Sequence, residues 1–257
     1  GVAMAGPTVD TSSAYSLDSP ETVSLSQGIG GYEAGRGLIT LEGPSGMFIN
    51  PTSATLPKGT FTAQYCIFFP DRSDRVLGHG FLGAYGITDS IEVGILGNYI
   101  DPRGVDGDGN FGPFARLRLT TNDGWMPQIG VGGYTKFGIE SLENFSAFAA
   151  AYWRIPINEE GFVKSLGVHL GVRENWFDGG NLEAFHAYGG LELQMPLRIY
   201  AVAEITTKDN DFDTETPFSY GLQWRAGGIN ISVAGIQNGG LPKGPAFYFG
   251  IGSGWQF

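Results

Sequence analysis

The chain has 257 residues and a formal net charge of −11; only 16% of its residues are charged, while 42 are glycine. The negative charge argues against nucleic-acid binding, because phosphate contacts need a basic surface. The single cysteine, Cys66, excludes an internal disulfide framework and a cysteine-based zinc site. No run approaches the roughly 18 apolar residues of a transmembrane helix, and the many aromatic residues argue against a disordered chain.

Residues 1–45 are rich in Gly, Ser, Thr and Pro and have weak periodicity. Arg36 is their one basic residue. Their acidic residues are Asp10, Asp18, Glu21, Glu33 and Glu42. We predict an extended segment over residues 1–45, either a flexible leader or a plug inside the domain formed by residues 46–257.

From Gly59 onward, apolar side chains alternate with polar or small ones, most clearly in Ser165–Arg173. A period of two indicates β-strands with two different faces. We predict twelve strands, at Gly59–Phe69, Val76–Ile87, Ser90–Ile100, Phe111–Thr120, Met126–Phe137, Phe145–Ile155, Ser165–Arg173, Ala184–Met195, Leu197–Thr206, Phe218–Arg225, Ile229–Ile236 and Ala246–Phe257.

The connections between these strands alternate in length. Thr88-Asp89 and Gly227-Gly228 are short, whereas Asp101–Asn110 and Thr207–Pro217 are long. One turn, Pro156–Lys164, is long although it falls on the short side. Short turns at one end and longer loops at the other are typical of outer-membrane barrels. We therefore predict an all-β, antiparallel transmembrane barrel of about 12 strands.

The last strand supports the same class. Phe247, Phe249, Ile251, Trp255 and Phe257 share one face of it. This stretch resembles the terminal assembly signal of bacterial outer-membrane β-barrel proteins, with an aromatic last residue after apolar residues at every second position. The resemblance implies a bacterial outer-membrane location, contact with its lipid, and recognition of Trp255 and Phe257 by the barrel-assembly machinery. Residues 1–45 would then lie on the periplasmic side.

The stretch Gly43–Phe61 resembles the opening of the exopolysaccharide-associated outer-membrane proteins of the YjbH/GfcD type. The matching residues are Gly43, Gly46, Met47, Phe48, Pro51, Thr52, Ala54 and Gly59. The resemblance implies a link to exopolysaccharide export.

The charged residues on the inward faces of the predicted strands are the ones that indicate a function. The inward cations are Arg116, Arg118, Lys136, Arg154, Arg173, Arg198 and Arg225. The inward carboxylates are Glu92, Glu192 and Glu204. An arginine-lined lumen predicts a small porin-like channel for anionic or saccharide solutes, because arginine binds carboxylates and phosphates.

Two alternatives stay open. The lumen charges can pair with one another and with the acidic residues of 1–45, which predicts a plugged, non-transporting scaffold. Such a scaffold would dock a periplasmic or surface partner through residues 1–45 or through its acidic loops. A soluble, lipocalin-like barrel with its apolar face inside also fits the alternation, although aromatic residues such as Trp153 and Trp224 favour lipid contact.

We expect no enzyme, cofactor or metal site. His169 and His186 are predicted to be inward-facing neighbours across the seventh and eighth strands, and because only Glu192 is nearby we expect a hydrogen-bonded lumen pair rather than a metal site. No G-x-S-x-G motif is present. The acidic loop Asp209–Glu215 departs from the EF-hand pattern and is predicted to be solvated.

Overall fold

The protein forms a closed barrel of twelve antiparallel strands. The computed structural model describes residues 36–41, 43–69, 76–102, 108–123, 125–138, 143–177, 182–209, 213, 215–237 and 246–257. The strands are β1 Thr60–Phe69, β2 Val76–Thr88, β3 Ile91–Pro102, β4 Asp108–Arg118, β5 Gln128–Lys136, β6 Asn144–Pro156, β7 Ser165–Phe177, β8 Leu182–Gln194, β9 Ile199–Thr206, β10 Phe218–Ala226, β11 Ile229–Gln237 and β12 Ala246–Gln256. The predicted all-β barrel and its strand number are confirmed.

Each strand pairs with its neighbours in the chain, and β1 pairs with β12 to close the ring. In this closing pair Thr60 lies opposite Gln256, and Phe69 lies opposite Phe247. Among the twelve described strands, closure leaves none at an open sheet edge with a row of unpaired N–H and C=O groups. It also brings the start of β1 and the end of β12 to the same end of the barrel.

Alternate side chains face the lumen and the outside. The polar Glu92, Gln223 and Asn230 point inward and are 0% exposed, whereas the outward Ile95 and Phe111 are 59% and 62% exposed. The apolar face is therefore the outer one, which excludes the inverted, lipocalin-like alternative. No helix in the described part of the chain is long and apolar enough to cross a membrane.

Two strand bounds differ from the prediction in an informative way. The predicted ninth strand begins at Leu197, but Pro196–Arg198 forms a short 3-10 turn and β9 begins at Ile199. Proline interrupts strand pairing because it lacks an N–H donor. The seventh strand continues past Arg173 to Phe177, with Glu174 paired opposite Phe185.

Glycine and aromatic residues lie opposite each other across the strand pairs, which explains why both are abundant. A Cβ atom added at any of these glycines would press on the facing ring. The pairs are Gly78 with Phe68, Gly97 with Phe81, Gly94 with Phe114, Gly132 with Phe148, Gly171 with Tyr188, and Gly235 with Tyr220.

Gly171→Ala is expected to destabilise the barrel by about 1–3 kcal/mol, because the new methyl group would overpack the Tyr188 ring. The Tyr188 hydroxyl donates a hydrogen bond to the carbonyl of Pro51 at 2.9 Å, which a displaced ring would lose. Gly189→Ala is the control, since its nearest neighbour would be Leu170 Cδ2 at an ordinary 3.5 Å. Urea unfolding of both variants in detergent measures the effect, and equal midpoints would contradict it.

Candidate functional site

The described residues before β1 lie inside the barrel. We call residues 36–41 and 43–58 the lumen segment. Side chains from three different strands hydrogen-bond it: Tyr188 of β8 donates to the Pro51 carbonyl, Gln223 of β10 to the Met47 carbonyl, and Tyr248 of β12 to the Ile39 carbonyl. Only a position within the lumen satisfies contacts on so many strands.

The lumen segment folds back on itself in tight turns. Residues Gly46 and Pro51 form an antiparallel bridge, and the Met47 N–H donates to the carbonyl of Asn50 at 3.1 Å. The N–H of Leu41 donates to the carbonyl of Phe48 at 3.0 Å. A Cβ atom at Gly46 would collide with the Asn50 carbonyl, so this turn requires glycine.

Apolar side chains of the lumen segment are packed as in a protein core. Phe48, Ile49 and Leu56 are 0–1% exposed. They form one cluster with residues of the barrel strands, which we call the wall, such as Leu82 and Leu96. The Phe48 ring also meets the Tyr248 ring edge-on, with 5.6 Å between centroids. This packing fills the lumen where the segment lies.

Glu92 of β3 is the first charged anchor of the segment. Its carboxylate accepts hydrogen bonds from Arg36 Nη1 at 2.7 Å, from Arg116 Nη2 at 2.8 Å and from the backbone N–H of Leu56 at 2.7 Å. The side chains of all three ionised residues are at most 1% exposed. One carboxylate thus ties two ends of the lumen segment to β3 and β4.

Arg116 extends this anchor along the segment. Its guanidinium donates to the Ser45 carbonyl at 3.0 Å, to Ser45 Oγ at 2.8 Å and to the Thr52 carbonyl at 3.4 Å. Arginine suits this position because its donors form a rigid, planar fork that can reach several acceptors.

Glu204 of β9 is the second anchor, and it holds the turn at the tip of the segment. Its Oε1 accepts from the backbone N–H groups of Phe48 and Ile49 at 2.8 and 2.6 Å and from Ser219 Oγ at 2.8 Å. Its Oε2 accepts from the N–H and the side-chain amide of Asn50 at 3.2 and 3.1 Å. Several backbone N–H groups aimed at one point form an anion site, which this carboxylate fills.

A third cluster joins strands of the wall. Glu192 forms an ion pair with Arg225 at 2.7 Å, and the Arg225 guanidinium lies 4.2 Å from the centroid of the Tyr200 ring. Glu192 is also 4.0 Å from His169 Nε2. Arg225 donates in addition to Gln223, which itself holds Met47 of the lumen segment.

The remaining predicted lumen residues lie at different depths. Arg173 and Lys136 are buried, with Lys136 Nζ 5.3 Å from the centroid of the Tyr134 ring. Arg118 is half-buried. Arg154 is exposed and donates to Gln194 at 2.9 Å. Arg198 lies in the turn before β9 rather than on a strand.

The structure also bears on residues 1–45. β1 begins at Thr60, and the division of the chain at residue 46 stays a prediction. The acidic residues expected to neutralise the lumen, from Asp10 to Glu42, lie outside the described residues. Arg36 was not among the predicted site residues, although a lone cation in an acidic stretch was a signal that could have singled it out.

The histidines occupy three separate environments. His169 and His186 do not face each other, since they pair with Gly190 and Arg173 respectively. His186 Nδ1 lies 3.8 Å from a carboxylate oxygen of Asp213. His79 faces outward and lies 2.6 Å from the Tyr65 hydroxyl. Within the described ranges, no three His, Cys, Asp or Glu residues are grouped to hold a metal ion.

At the closing pair, the Trp255 ring stacks on Phe61 with 5.9 Å between centroids. The N–H of Phe257 donates to the Gly59 carbonyl at 3.0 Å. Recognition of Trp255 and Phe257 by an assembly machinery stays a prediction.

No protein-family model and no curated protein matches the chain. Among solved structures, it is similar to the KdgM porin with a TM-score of 0.55 and 11% identity, over 76% of this chain and 99% of that chain. It also matches the translocator domain of the autotransporter NalP from Neisseria meningitidis, with a TM-score of 0.42 and 14% identity, over 77% of this chain and 88% of that chain. The first likeness is one of fold, that of an outer-membrane β-barrel. The resemblance of Gly43–Phe61 to YjbH/GfcD-type proteins is not shown.

Proposed function

We propose that this protein is a porin-like channel of the bacterial outer membrane that its own lumen segment holds closed. The observation that carries the proposal is the anchoring of this segment by Glu92, Arg116 and Glu204, on three strands of the wall. A segment held from several sides of the ring blocks passage along its axis. The fold of the KdgM porin supports the assignment to a non-enzymatic, porin-like class.

The proposed solutes are anions or acidic saccharides. The cations directed toward the lumen are Arg116, Arg118, Lys136, Arg154, Arg173 and Arg225, against the carboxylates Glu92, Glu192 and Glu204. A lumen emptied of its segment would therefore be net positive. Such a surface attracts anions, and guanidinium groups bind carboxylates and phosphates in pairs of hydrogen bonds.

A scaffold is the second candidate, and the packing of the lumen segment favours it. Met47, Phe48 and Ile49 are 0–2% exposed, so moving the segment would expose apolar surface at a free-energy cost. In this case the barrel stays closed and serves to anchor a periplasmic or surface protein that binds residues 1–45 or the acidic loops.

Conductance in planar bilayers separates the two candidates. We expect the intact chain and a variant lacking residues 1–35 to be silent, because both keep the lumen segment. A variant lacking residues 1–58 is expected to conduct and to prefer anions, and Arg173→Ala in that variant should weaken the preference.

Heat-modifiable migration on gels checks that each variant is a folded barrel. Steady conductance of the intact chain would contradict closure by the lumen segment. Silence of the folded variant without residues 1–58 would reject the channel and leave the scaffold.

A further inference from the structure

Three turns at one end of the barrel present large apolar side chains to the outside. They are the turns between β4 and β5, β6 and β7, and β8 and β9, and they carry Trp125, Phe162 and Leu197, which are 94%, 73% and 81% exposed. Two other turns at this end are polar or small, with Asp89-Ser90 after β2 and Gly227-Gly228 after β10. These apolar turns lie on the side of β4–β9, and on the other side of the same end Phe257, which follows β12, is 90% exposed.

Two of these turns are fixed to the outer surface of the barrel in the same way. The indole N–H of Trp153 on β6 donates to the Trp125 carbonyl at 3.3 Å, and that of Trp224 on β10 donates to the Leu197 carbonyl at 3.0 Å. Both indoles belong to the outward faces of their strands. The exposed turn residues therefore continue the outward apolar face beyond the ends of the strands.

The turn before β9 adopts an uncommon backbone conformation. Leu197 and Arg198 both have a φ of 59°, in the left-handed region that residues other than glycine rarely occupy. Such conformations persist where the surroundings fix them. Here the result is a leucine side chain held away from the lumen and 81% exposed.

We propose that these three turns form a membrane anchor, which inserts Trp125, Phe162 and Leu197 into the lipid leaflet at this end of the barrel. The inference rests on the membrane location in the proposed function. Lipid is the occupant that the observations favour, because the turns continue the apolar outer face. Tryptophan also suits the boundary between acyl chains and head groups, because its ring is largely apolar while its indole N–H is polar.

The charged residues of the turns fit this depth. Lys164 and Arg198 lie next to the apolar residues and can meet lipid phosphates. Glu159 and Glu160 are exposed at the tip of the turn that carries Phe162, so they mark the part that stays in water.

Site-specific fluorophores test this anchor in vesicles of phosphatidylethanolamine and phosphatidylglycerol. In a full-length Cys66→Ala background, a cysteine replaces Trp125, Phe162 or Leu197 in turn, and carries an environment-sensitive label. Asp89→Cys is the control in a polar turn, and Ile95→Cys is the control on the outward face of a strand. We expect the three anchor labels to emit at shorter wavelength than the Asp89 label. We also expect spin-labelled lipid to quench them, and aqueous iodide to lose most of its effect on them.

The two controls keep the outcomes distinct. If iodide quenches the turn labels as strongly as the Asp89 label while lipid quenches the Ile95 label, the barrel is in the membrane and the anchor is rejected. If iodide also quenches the Ile95 label, the membrane location fails, and the proposed function fails with it. An unlabelled Leu197→Asn variant keeps a residue tolerant of the left-handed backbone, and should bind these vesicles more weakly than the parent after refolding.

Discussion

Glu92→Ala is expected to open the barrel to ions. The substitution would leave Arg36 and Arg116 buried beside each other with no carboxylate between them, and the Leu56 N–H without its acceptor. Removing one partner of a buried ion pair costs about 3–5 kcal/mol. If this free energy is lost from the closed state, in which the lumen segment is bound, the equilibrium between closed and open lumen shifts toward the open state by on the order of a hundredfold or more.

Single-channel recording on the full-length Glu92→Ala variant measures this effect, as openings that the parent lacks. Glu192→Ala is the matched control, because its 2.7 Å ion pair with Arg225 joins two strands of the wall. We expect Glu192→Ala to lower barrel stability with far fewer openings. Equal behaviour of the two variants would show that loss of any buried carboxylate disturbs the barrel, and that Glu92 has no special role in closure.

Glu204→Ala is expected to free the tip of the lumen segment. The carboxylate accepts hydrogen bonds from the N–H groups of Phe48, Ile49 and Asn50, and alanine would leave these groups buried without an acceptor. Each buried donor that loses its partner costs about 1–3 kcal/mol. Hydrogen exchange at these amides should therefore accelerate by on the order of a hundredfold, since local opening controls exchange.

Mass spectrometry of peptides that cover residues 46–52 follows the exchange. Ser219→Ala removes a single neutral hydrogen bond to the same carboxylate, so a much smaller acceleration is expected from it. Unchanged exchange in Glu204→Ala would mean that apolar packing around Phe48 alone keeps the tip in place.

The strands were predictable because the outer face and the lumen face of the barrel carry different side chains. In Ser165–Arg173 the two faces differ at every position, and the alternation alone locates the strand. The predicted strand bounds were wrong where the two faces of a strand no longer differed. Glu174 breaks the apolar face of β7, although its pairing with Phe185 continues. Leu197 kept the apolar alternation in a turn where Pro196 prevents strand pairing.

The contacts across the lumen were not predictable in the same way. Alternation indicated that Glu92 and Glu204 face inward, but it carries no information about what lies opposite them. Their partners are far away in the chain: Arg36 is 56 residues from Glu92, and Phe48 is 156 residues from Glu204. The sequence could therefore suggest a plug made from residues 1–45, but not which wall residues would hold it.

The position of the lumen segment before β1 has a consequence for biogenesis. The ring closes only when β12, which follows the other eleven described strands in the chain, pairs with β1. The segment is therefore available long before its enclosure exists, and its Glu204 acceptor arrives only with β9. A ring that closed first would have to admit the segment through one of its open ends. Productive assembly is thus expected to wrap the wall around the segment, which makes the lumen segment a template for the barrel as well as its contents.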